Sequence, residues 1–213
     1  YLEPSHIMVG SGAEYLYGLV VGTIGKDKIY GIENPSYEKI EKVYKAQGVK
    51  YQLLSLGAHG IKSSELKNAN VDILHVSPYR SFPTGVTANA SKRHEYVDWV
   101  NQKKDRYIIE DDFESEFSVS TKSEETLFAL SSNNVIYMNT FSLTVSPAFR
   151  VGYMVLPMRL VGKFNDNVGF YSCTVPTFEQ LVLTQLITSG DFERHINSVR
   201  RHKRNNIKKM GKA

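Results

Sequence analysis

Short apolar runs alternate along this chain with longer stretches in which apolar residues recur every three or four positions. The short runs have the length and β-branched content of strands, whereas the longer stretches have the period of amphipathic helices. Regular alternation of the two predicts parallel strands joined by helical crossovers. The seven predicted strands lie at 7–9, 28–33, 51–54, 72–77, 106–110, 135–138 and 151–156.

This pattern predicts an α/β protein with a mainly parallel, seven-stranded sheet between two helical layers. Glycines are expected to end the first two helices, at Gly25 and Gly48, and Ser91 is expected to cap a later helix. After Pro176 the pattern is helical to the end of the chain. In such a three-layer α/β/α domain, a ligand is expected at the carboxyl ends of the strands.

The composition is that of an ordinary folded domain. The 213 residues, 41% of them hydrophobic, can form one sizeable core. No apolar run approaches the roughly 20 residues that span a bilayer, and the N-terminus does not resemble a signal peptide. These features predict a cytoplasmic protein with no membrane partner. The single cysteine, Cys173, has no partner for a disulfide or a metal site, so we expect it to be a packing residue.

The net charge of +4 is concentrated at the C-terminal end. Residues 191–213 contain eight basic and two acidic side chains, whereas the rest of the chain contains 18 basic and 20 acidic ones. A basic C-terminal helix can contact phosphate groups of a nucleic acid. A solvated helix face is the more common origin of such a cluster, so charge alone does not predict nucleic-acid binding.

A glycine-rich turn at residues 10–14 links the first predicted strand to a helix. Free backbone N–H groups and the helix dipole make such a turn suitable for an anion. The spacing of Gly10 and Gly12, with Glu33 ending the next strand, also fits the fingerprint of an NAD-dependent oxidoreductase. Tyr15 stands where the third glycine of that fingerprint is expected, which weakens this alternative. An ordinary tight turn is the remaining explanation.

An acidic run at 110–116 carries five carboxylates in seven positions. So many charges are not expected to be buried without cationic partners, so a solvated run is the ordinary explanation and a metal site is an alternative. If the backbone is extended, Asp111 and Phe113 face one side of it and Glu110 and Asp112 face the other. A carboxylate that faces a pocket can pair with a protonated ring nitrogen of a ligand.

Four sequence blocks together carry a family resemblance. They are S-G-A at 11–13, F-P-T-G at 82–85, E-D-D-F-E-S-E-F at 110–117 and T-F-S-L-T-V-S-P-A-F-R-V-G-Y at 140–153. The second block belongs to an irregular loop at 77–85, a kind of segment that commonly lines a site. In this order the blocks resemble the aminotransferase-like domain of the MocR subfamily of GntR-type transcriptional regulators. The resemblance covers nearly the whole chain and implies the large domain of a fold type I, class I/II, PLP-dependent transferase.

The resemblance implies a site for pyridoxal 5'-phosphate (PLP), bound without a metal. Tyr37 would stack on the pyridine ring, and Asp111 would keep the ring nitrogen protonated. Phe113 stands where the family usually has a tyrosine, so it keeps the aromatic ring but has no hydroxyl to bond the cofactor. The residues implied at the cofactor phosphate are Gly12, Ala13, Glu14, Thr140 and Arg150.

The clearest departure from the family pattern, T-F-S-K, is Leu143 at the position of the Schiff-base lysine. Leucine has no amine to bond the cofactor aldehyde, and the proton transfers that the lysine performs are lost with it. The resemblance therefore implies a catalytically weak or silent domain that binds PLP non-covalently or not at all. An engineered Leu143 is equally consistent with the sequence, although Phe113 is a second, independent departure.

The leading hypothesis is the effector-binding and dimerisation domain of a transcriptional regulator, which binds a small-molecule effector or an amino acid. A homodimer is implied by the resemblance, and DNA contact is expected only through a winged-helix domain that is absent from this chain. Residues 1–190 would form the large domain, and 191–213 would begin the helix leading to a missing small domain. An active PLP-dependent aminotransferase that recruits Lys122 or Lys163 is the alternative, and the NAD-dependent oxidoreductase is a remote one.

Overall fold

The structure, a computed structural model, describes residues 2–112, 115 and 125–210. A short 3-10 turn at Pro4–His6 precedes the first strand. The strands are β1 (Ile7–Gly10), β2 (Ile29–Asn34), β3 (Lys50–Gly57), β4 (Gly60–Ile61), β5 (Ile73–Val76), β6 (Tyr107–Asp111), β7 (Val135–Thr140) and β8 (Gly152–Val155). The helices are α1 (Ala13–Ile24), α2 (Glu38–Gln47), α3 (Ser63–Asn68), α4 (Ala90–Asn101), α5 (Leu127–Leu130), α6 (Met158–Asn167), α7 (Thr177–Thr188) and α8 (Asp191–Met210).

The described strands form one sheet in the order β1-β8-β7-β6-β5-β2-β3-β4. The central strands, from β7 to β3 in this order, are parallel to one another. β8 runs antiparallel to both of its neighbours, β1 and β7. All seven predicted strands are present, so the prediction of an α/β protein with a mainly parallel sheet is confirmed. The predicted strand number is one too low, because β4 has only two residues and is too short to show a hydrophobic pattern.

The sheet separates two hydrophobic cores, which gives the predicted three-layer α/β/α architecture. Ile73 and Ile109 pack with α1, α2 and α6 on one face. Leu74 and Ile108, their neighbours along the same two strands, pack with α3, α4 and α5 on the other. Successive strand residues point to opposite faces, so strands buried on both sides need continuous apolar runs rather than alternating ones.

The helix ends follow the predicted signals in two cases and differ in one. Gly25 and Gly48 come directly after α1 and α2, as predicted. Gly48 has a φ of 72°, in the left-handed region where a residue without a Cβ is least strained. α4 begins earlier than predicted, because Asn89 caps it by accepting from the Lys92 N–H at 2.9 Å. Ser91 lies inside the first turn of the helix, so the prediction that it is the cap is wrong.

The chain after Pro176 is helical, as predicted, but it forms two helices. Gly190, with a φ of 73°, separates α7 from α8. α8 begins at Asp191, the position of the predicted domain boundary, while the division into domains stays a prediction. α6 lies upstream of these two helices and was missed by the sequence analysis, although it packs Leu160 against α1 and the sheet.

The C-terminal part leaves apolar surface exposed. Within the described structure α7 has no buried residue, and Phe178 and Leu181 are 75% and 64% exposed. Cys173, just before this helix, is also exposed, so the prediction that it is a packing residue is wrong. None of the described helices combines the length and the apolar character needed to cross a membrane.

Candidate functional site

A cavity of about 280 Å³ opens where β2, β6 and β7 end and where α1 begins. This is the sheet edge at which a ligand is predicted. The volume is near the lower end of the roughly 300–1,000 Å³ typical of small-molecule sites. The cavity is lined by Ala13, Glu14, Tyr17, Glu33, Ser36, Tyr37, Ile40, Ser77, Ser81, Phe82, Asp111, Thr140, Ser142, Leu143 and Arg150.

One part of the cavity is built by the N-terminus of α1 and by Arg150. Gly10 of β1 pairs with Gly152 of β8, which brings Arg150, two residues before β8, to the turn that opens α1. Gly12 in this turn has a φ of 95°, and a Cβ built there would lie 2.8 Å from a guanidinium nitrogen of Arg150. Only glycine allows this approach. Free N–H groups of a first helical turn and a guanidinium therefore lie side by side, an arrangement suited to an anion.

The carboxylate of Glu14 supplies a negative charge next to Arg150 in this part of the cavity. Its carboxylate accepts hydrogen bonds from Lys39 Nζ at 2.7 Å and from Arg150 Nη2 at 3.0 Å. Partial burial raises the pKa of Glu14, but hydrogen bonds from Lys39, from its own backbone N–H and from Arg150 outweigh burial and leave the pKa below its usual value. A bound anion would therefore compete with an ionised Glu14 for Arg150.

Asp111 lies at the end of β6 with 4% of its surface exposed. The Tyr17 hydroxyl donates to Asp111 Oδ2, and His75 Nε2 lies 3.3 Å from the same oxygen. Since a carboxylate only accepts, Nε2 is the donor in this contact, and Nδ1 of the same ring lies 2.7 Å from the Tyr44 hydroxyl. Burial, and then the charge of Asp111, raise the pKa of Tyr17 well above its usual value, so Tyr17 remains a donor. No described group hydrogen-bonds to Asp111 Oδ1, which leaves this oxygen for a ligand.

The described part of the acidic run at 110–116 is buried, contrary to prediction. Glu110 and Asp112 are 0% and 1% exposed, and neutral donors satisfy them: Tyr79 donates to Glu110 and Tyr137 to Asp112, each at 2.7 Å. The expectation that burial requires cationic partners is wrong because hydroxyl and backbone donors can replace them. Burial also raises the pKa of Glu110 to about 7, which favours its neutral form. Among the described residues, no group of three side chains could hold a metal ion.

The loop after β5 contributes Ser77, Ser81 and Phe82 to the cavity, as predicted for a site-lining segment. Ser81 Oγ donates to Glu33 at 2.6 Å. Glu33, at the end of β2, is 4% exposed, and burial raises its pKa to about 7 although hydrogen bonds from Ser81 and from the Ser77 backbone lower it. The rings of Phe82 and Tyr37 meet edge to face, with centroids 6.0 Å apart. This wall therefore combines aromatic surface with a second buried carboxyl group.

Leu143 lines the same cavity, and 53% of its surface is exposed. None of the described residues that line the cavity is a lysine. Lys163, one of the two lysines considered as substitutes, is exposed on α6 and does not line the cavity. Lys122, the other, lies outside the described residues.

The structure brings most of the predicted site residues together, although their roles toward a cofactor stay predictions. Gly12 lies next to the lining residues and against Arg150, and Phe113 lies outside the described residues. Sequence analysis missed Tyr17 and His75; the visible signal was a histidine inside the apolar strand β5. The predicted residues that line the cavity are Ala13, Glu14, Tyr37, Asp111, Thr140, Leu143 and Arg150.

The strand order argues against the dinucleotide-binding alternative. That fold needs the glycine-rich strand and the strand ending in the acidic residue side by side in a parallel sheet. Here β1, which leads to Gly10, is an edge strand paired antiparallel with β8. Four strands lie between β1 and β2, the strand that carries Glu33. The glycine spacing therefore reflects the turn into α1 rather than a nicotinamide site.

Comparison with known sequences gives a consistent set of relatives, although no family model matches the chain. The HTH-type transcriptional regulator YdeL of Bacillus subtilis is 28% identical over 199 residues, covering 93% of this chain and 43% of YdeL. The HTH-type pyridoxine biosynthesis transcriptional regulator PdxR of Corynebacterium glutamicum is 26% identical, covering 94% of this chain and 44% of PdxR. The probable rhizopine catabolism regulatory protein MocR of Rhizobium meliloti is 25% identical, covering 93% of this chain and 40% of MocR.

Solved structures identify the fold. The Pyrococcus horikoshii kynurenine aminotransferase superposes with a TM-score of 0.79 and 27% identity, covering 92% of this chain and 51% of the enzyme. The Thermus thermophilus α-aminoadipate aminotransferase LysN has a TM-score of 0.82 and 24% identity, covering 93% of this chain and 53% of the enzyme. The chain resembles the aminotransferase-like part of MocR-type regulators. The resemblance predicted from the four sequence blocks is thereby confirmed, and the chain spans less than half the length of these regulators.

Proposed function

We propose that this chain is the effector-binding domain of a MocR-type transcriptional regulator, and that it binds PLP or a related phosphorylated pyridine without a covalent link. One observation carries the proposal: Arg150, Asp111 and Leu143 line a single cavity. The same cavity thus contains a guanidinium that can bind a phosphate and a carboxylate that can bind a ring nitrogen. It also contains a hydrocarbon side chain that cannot react with the ligand.

The donors and acceptors of the cavity fit such a ligand. The start of α1, with the N–H of Ala13, and the guanidinium of Arg150 supply donors for a phosphate. Asp111 Oδ1 can accept from a protonated ring nitrogen, and Tyr37 and Phe82 provide aromatic surface for the ring. When bound, PLP supplies an electrophilic carbonyl carbon and a ring that accepts electrons.

Leu143 supports a binding role rather than catalysis. Its side chain cannot form a covalent bond with an aldehyde and cannot move a proton. Among the described lining residues none is a lysine, so none of them replaces that amine. We infer that Leu143 occupies the position of a Schiff-base lysine and that transamination by this chain is weak or absent.

The regulatory part of the proposal rests on the relatives. YdeL, PdxR and MocR are all named as regulators, and PdxR is named for pyridoxine biosynthesis. The matched region is less than half of each protein, so DNA binding is proposed for a different region of such a regulator. The exposed apolar surface of α7, with Phe178 and Leu181, supports the proposal that the domain pairs with a second copy.

Titration of the 213-residue chain with PLP, followed by its visible spectrum before and after borohydride, tests the proposal. We expect saturable binding, a free-aldehyde spectrum and no protein adduct in the mass spectrum after reduction. Asp111→Asn should weaken binding at least about tenfold, because it removes a charge-assisted hydrogen bond. Asp98→Asn, at an exposed position of α4, is the matched control and should bind like the original chain.

Leu143→Lys should create a reducible imine band, with the adduct mapped to position 143 by peptide mass analysis. Absence of saturable binding in the original chain would refute the proposed function. A reducible imine in the original chain would instead favour the active aminotransferase and would identify the lysine that it uses.

A further inference from the structure

The cavity holds more negative than positive charge. Among the described lining residues are three carboxyl groups, those of Glu14, Glu33 and Asp111, and one guanidinium, that of Arg150. Glu14 is already neutralised by Arg150 and Lys39. Glu33 and Asp111 have no lysine or arginine partner among the described residues.

Two buried carboxyl groups in one cavity favour a cationic ligand. An uncompensated buried charge is costly, so either it is paired or the group takes up a proton. Glu33 is an example. Its pKa is raised to about 7, mainly because the carboxyl is buried and also because the charge of Asp111 is nearby. One positive charge, such as a pyridinium N–H at Asp111, would leave the carboxyl of Glu33 without a counter-charge.

None of the described residues that line the cavity carries an ammonium group. Leu143 contributes only a hydrocarbon side chain to the wall, and 53% of its surface is exposed. Lys39 is engaged by Glu14 at 2.7 Å and does not line the cavity. A ligand that carries a second cation can therefore pair with Glu33, whose alternative is to take up a proton.

Building on the proposed function, we infer that the preferred ligand is an amine-bearing phosphorylated pyridine of the pyridoxamine phosphate type, with Glu33 as the residue that selects its ammonium group. The aldehyde has no covalent advantage here because Leu143 cannot react with it. The amine gains a charge-assisted hydrogen bond to a buried carboxylate, which the alcohol and the aldehyde cannot match.

Three ligands that share the ring and the phosphate test this preference. Calorimetric titration of the chain with pyridoxamine phosphate, pyridoxine phosphate and PLP compares an amine, an alcohol and an aldehyde. We expect pyridoxamine phosphate to bind about tenfold more tightly than pyridoxine phosphate, as one charge-assisted hydrogen bond allows. Pyridoxine phosphate is the main comparator because it cannot react with surface lysines.

Glu33→Gln tests the role assigned to that carboxyl. The variant keeps the shape of the side chain and should reduce the preference for pyridoxamine phosphate over pyridoxine phosphate to about one. Glu38→Gln, at an exposed position of α2, is the matched control and should retain the preference. Thermal unfolding of both variants shows whether they are folded.

Leu143→Lys provides a second test that does not depend on Glu33. A lysine ammonium in the cavity would repel the ligand amine, so this variant should lose the preference for pyridoxamine phosphate. Leu143→Met, which is apolar and of similar size, should keep it.

The two proposals fail differently. If none of the three ligands binds, the proposed function is refuted. If all bind but the alcohol or the aldehyde binds as tightly as the amine, the preference inferred here is overturned while the proposed function stands. An unchanged preference in Glu33→Gln would remove the role assigned to Glu33.

Discussion

Arg150 already has an anionic partner inside the protein, the carboxylate of Glu14. Glu14 also accepts from Lys39, so one side chain engages two cations beside the N-terminus of α1. A ligand phosphate must displace this carboxylate from Arg150 and then remain close to its negative charge. Glu14 therefore weakens the affinity of the region for anions while keeping the guanidinium in place.

Glu14→Gln should bind pyridoxine phosphate and inorganic phosphate about threefold to fivefold more tightly, because an exposed ion pair of this kind is worth at most about 1 kcal/mol. Calorimetry at low salt measures the change, which should shrink as salt screens the charges. Glu38→Gln, which removes an exposed partner of Lys42 on α2, is the control and should leave the affinity unchanged. Weaker anion binding in Glu14→Gln would show that Glu14 supports the site rather than competing with its ligand.

Tyr17 and His75 both contact the Oδ2 oxygen of Asp111. Tyr17→Phe removes the hydroxyl donor and leaves a buried carboxylate short of one hydrogen bond. We expect a loss of about 1.5–3 kcal/mol in the free energy of unfolding, measured with urea. Tyr30→Phe is the matched control, because the hydroxyl of this buried tyrosine bonds only a neutral carbonyl, that of Gly25. Equal losses in the two variants would mean that the Tyr17 bond to Asp111 has no special strength.

Among the helices, α5 depends on a residue of another element. Its first two N–H groups, those of Leu127 and Phe128, donate to the two carboxylate oxygens of Glu110 at 2.7 and 2.9 Å. Glu110 lies on β6, so the cap ties this short helix to the sheet. A four-residue helix has little stability of its own, and tertiary contacts of this kind determine whether it forms.

Glu110→Gln should destabilise the protein by about 1–3 kcal/mol, because the amide nitrogen would face an N–H group that needs an acceptor. Amide hydrogen exchange of Leu127 and Phe128 should speed up more than exchange in the core strands. Glu125→Gln, at an exposed position just before α5, is the control and should change neither quantity. Unchanged exchange in Glu110→Gln would show that α5 forms without this cap.

The strands and helix ends that a local sequence pattern encodes could be predicted. Features that depend on residues distant in sequence could not. All seven longer strands and the glycines after α1 and α2 could be read from apolar runs and turn residues. The cap of α4 was placed at Ser91 instead of Asn89, because both residue types cap helices and only the backbone path distinguishes them. β4 is defined by its pairing with β3, which no local pattern shows.

The candidate site likewise has some features that could be predicted from the sequence and others that could not. Leu143, Asp111 and Arg150 could be identified because they stand in blocks that resemble a known family, and the structure brings them to one cavity. Burial of the acidic run could not be predicted, because its donors, such as Tyr79 and Tyr137, come from other strands and loops. From the sequence, Glu33 was assigned to the dinucleotide-binding alternative and not to this cavity. Sequence spacing does not show which strands are neighbours in the sheet.

Across the whole molecule, stability should depend on pH through two buried carboxyl groups. Burial raises the pKa of both Glu33 and Glu110 to about 7 from an ordinary value of 4.5. Between these values the folded protein keeps protons that the unfolded chain has lost. Their contribution to stability is therefore complete below about pH 4.5 and is lost as the pH rises through about 7.

Urea unfolding at a series of pH values checks this dependence. From about pH 5 to pH 8 the original chain should lose stability relative to the double variant Glu33→Gln/Glu110→Gln, by an amount on the order of 2–3 kcal/mol per group. Glu38→Gln/Glu125→Gln, with two exposed carboxyls removed, should parallel the original chain. Parallel curves for the original chain and the buried double variant would contradict the assigned titrations.

The pairing of β1 with β8 also bears on how the molecule is made. Glu14 and Arg150, which meet beside this pair of strands, are 136 residues apart in sequence. On the ribosome, α1 is synthesised well before Arg150, so closure of this seam is a high-contact-order event. A small molecule that bridges α1 and Arg150 would bind only chains in which this contact has formed, and would thereby stabilise the closed seam over partly folded states.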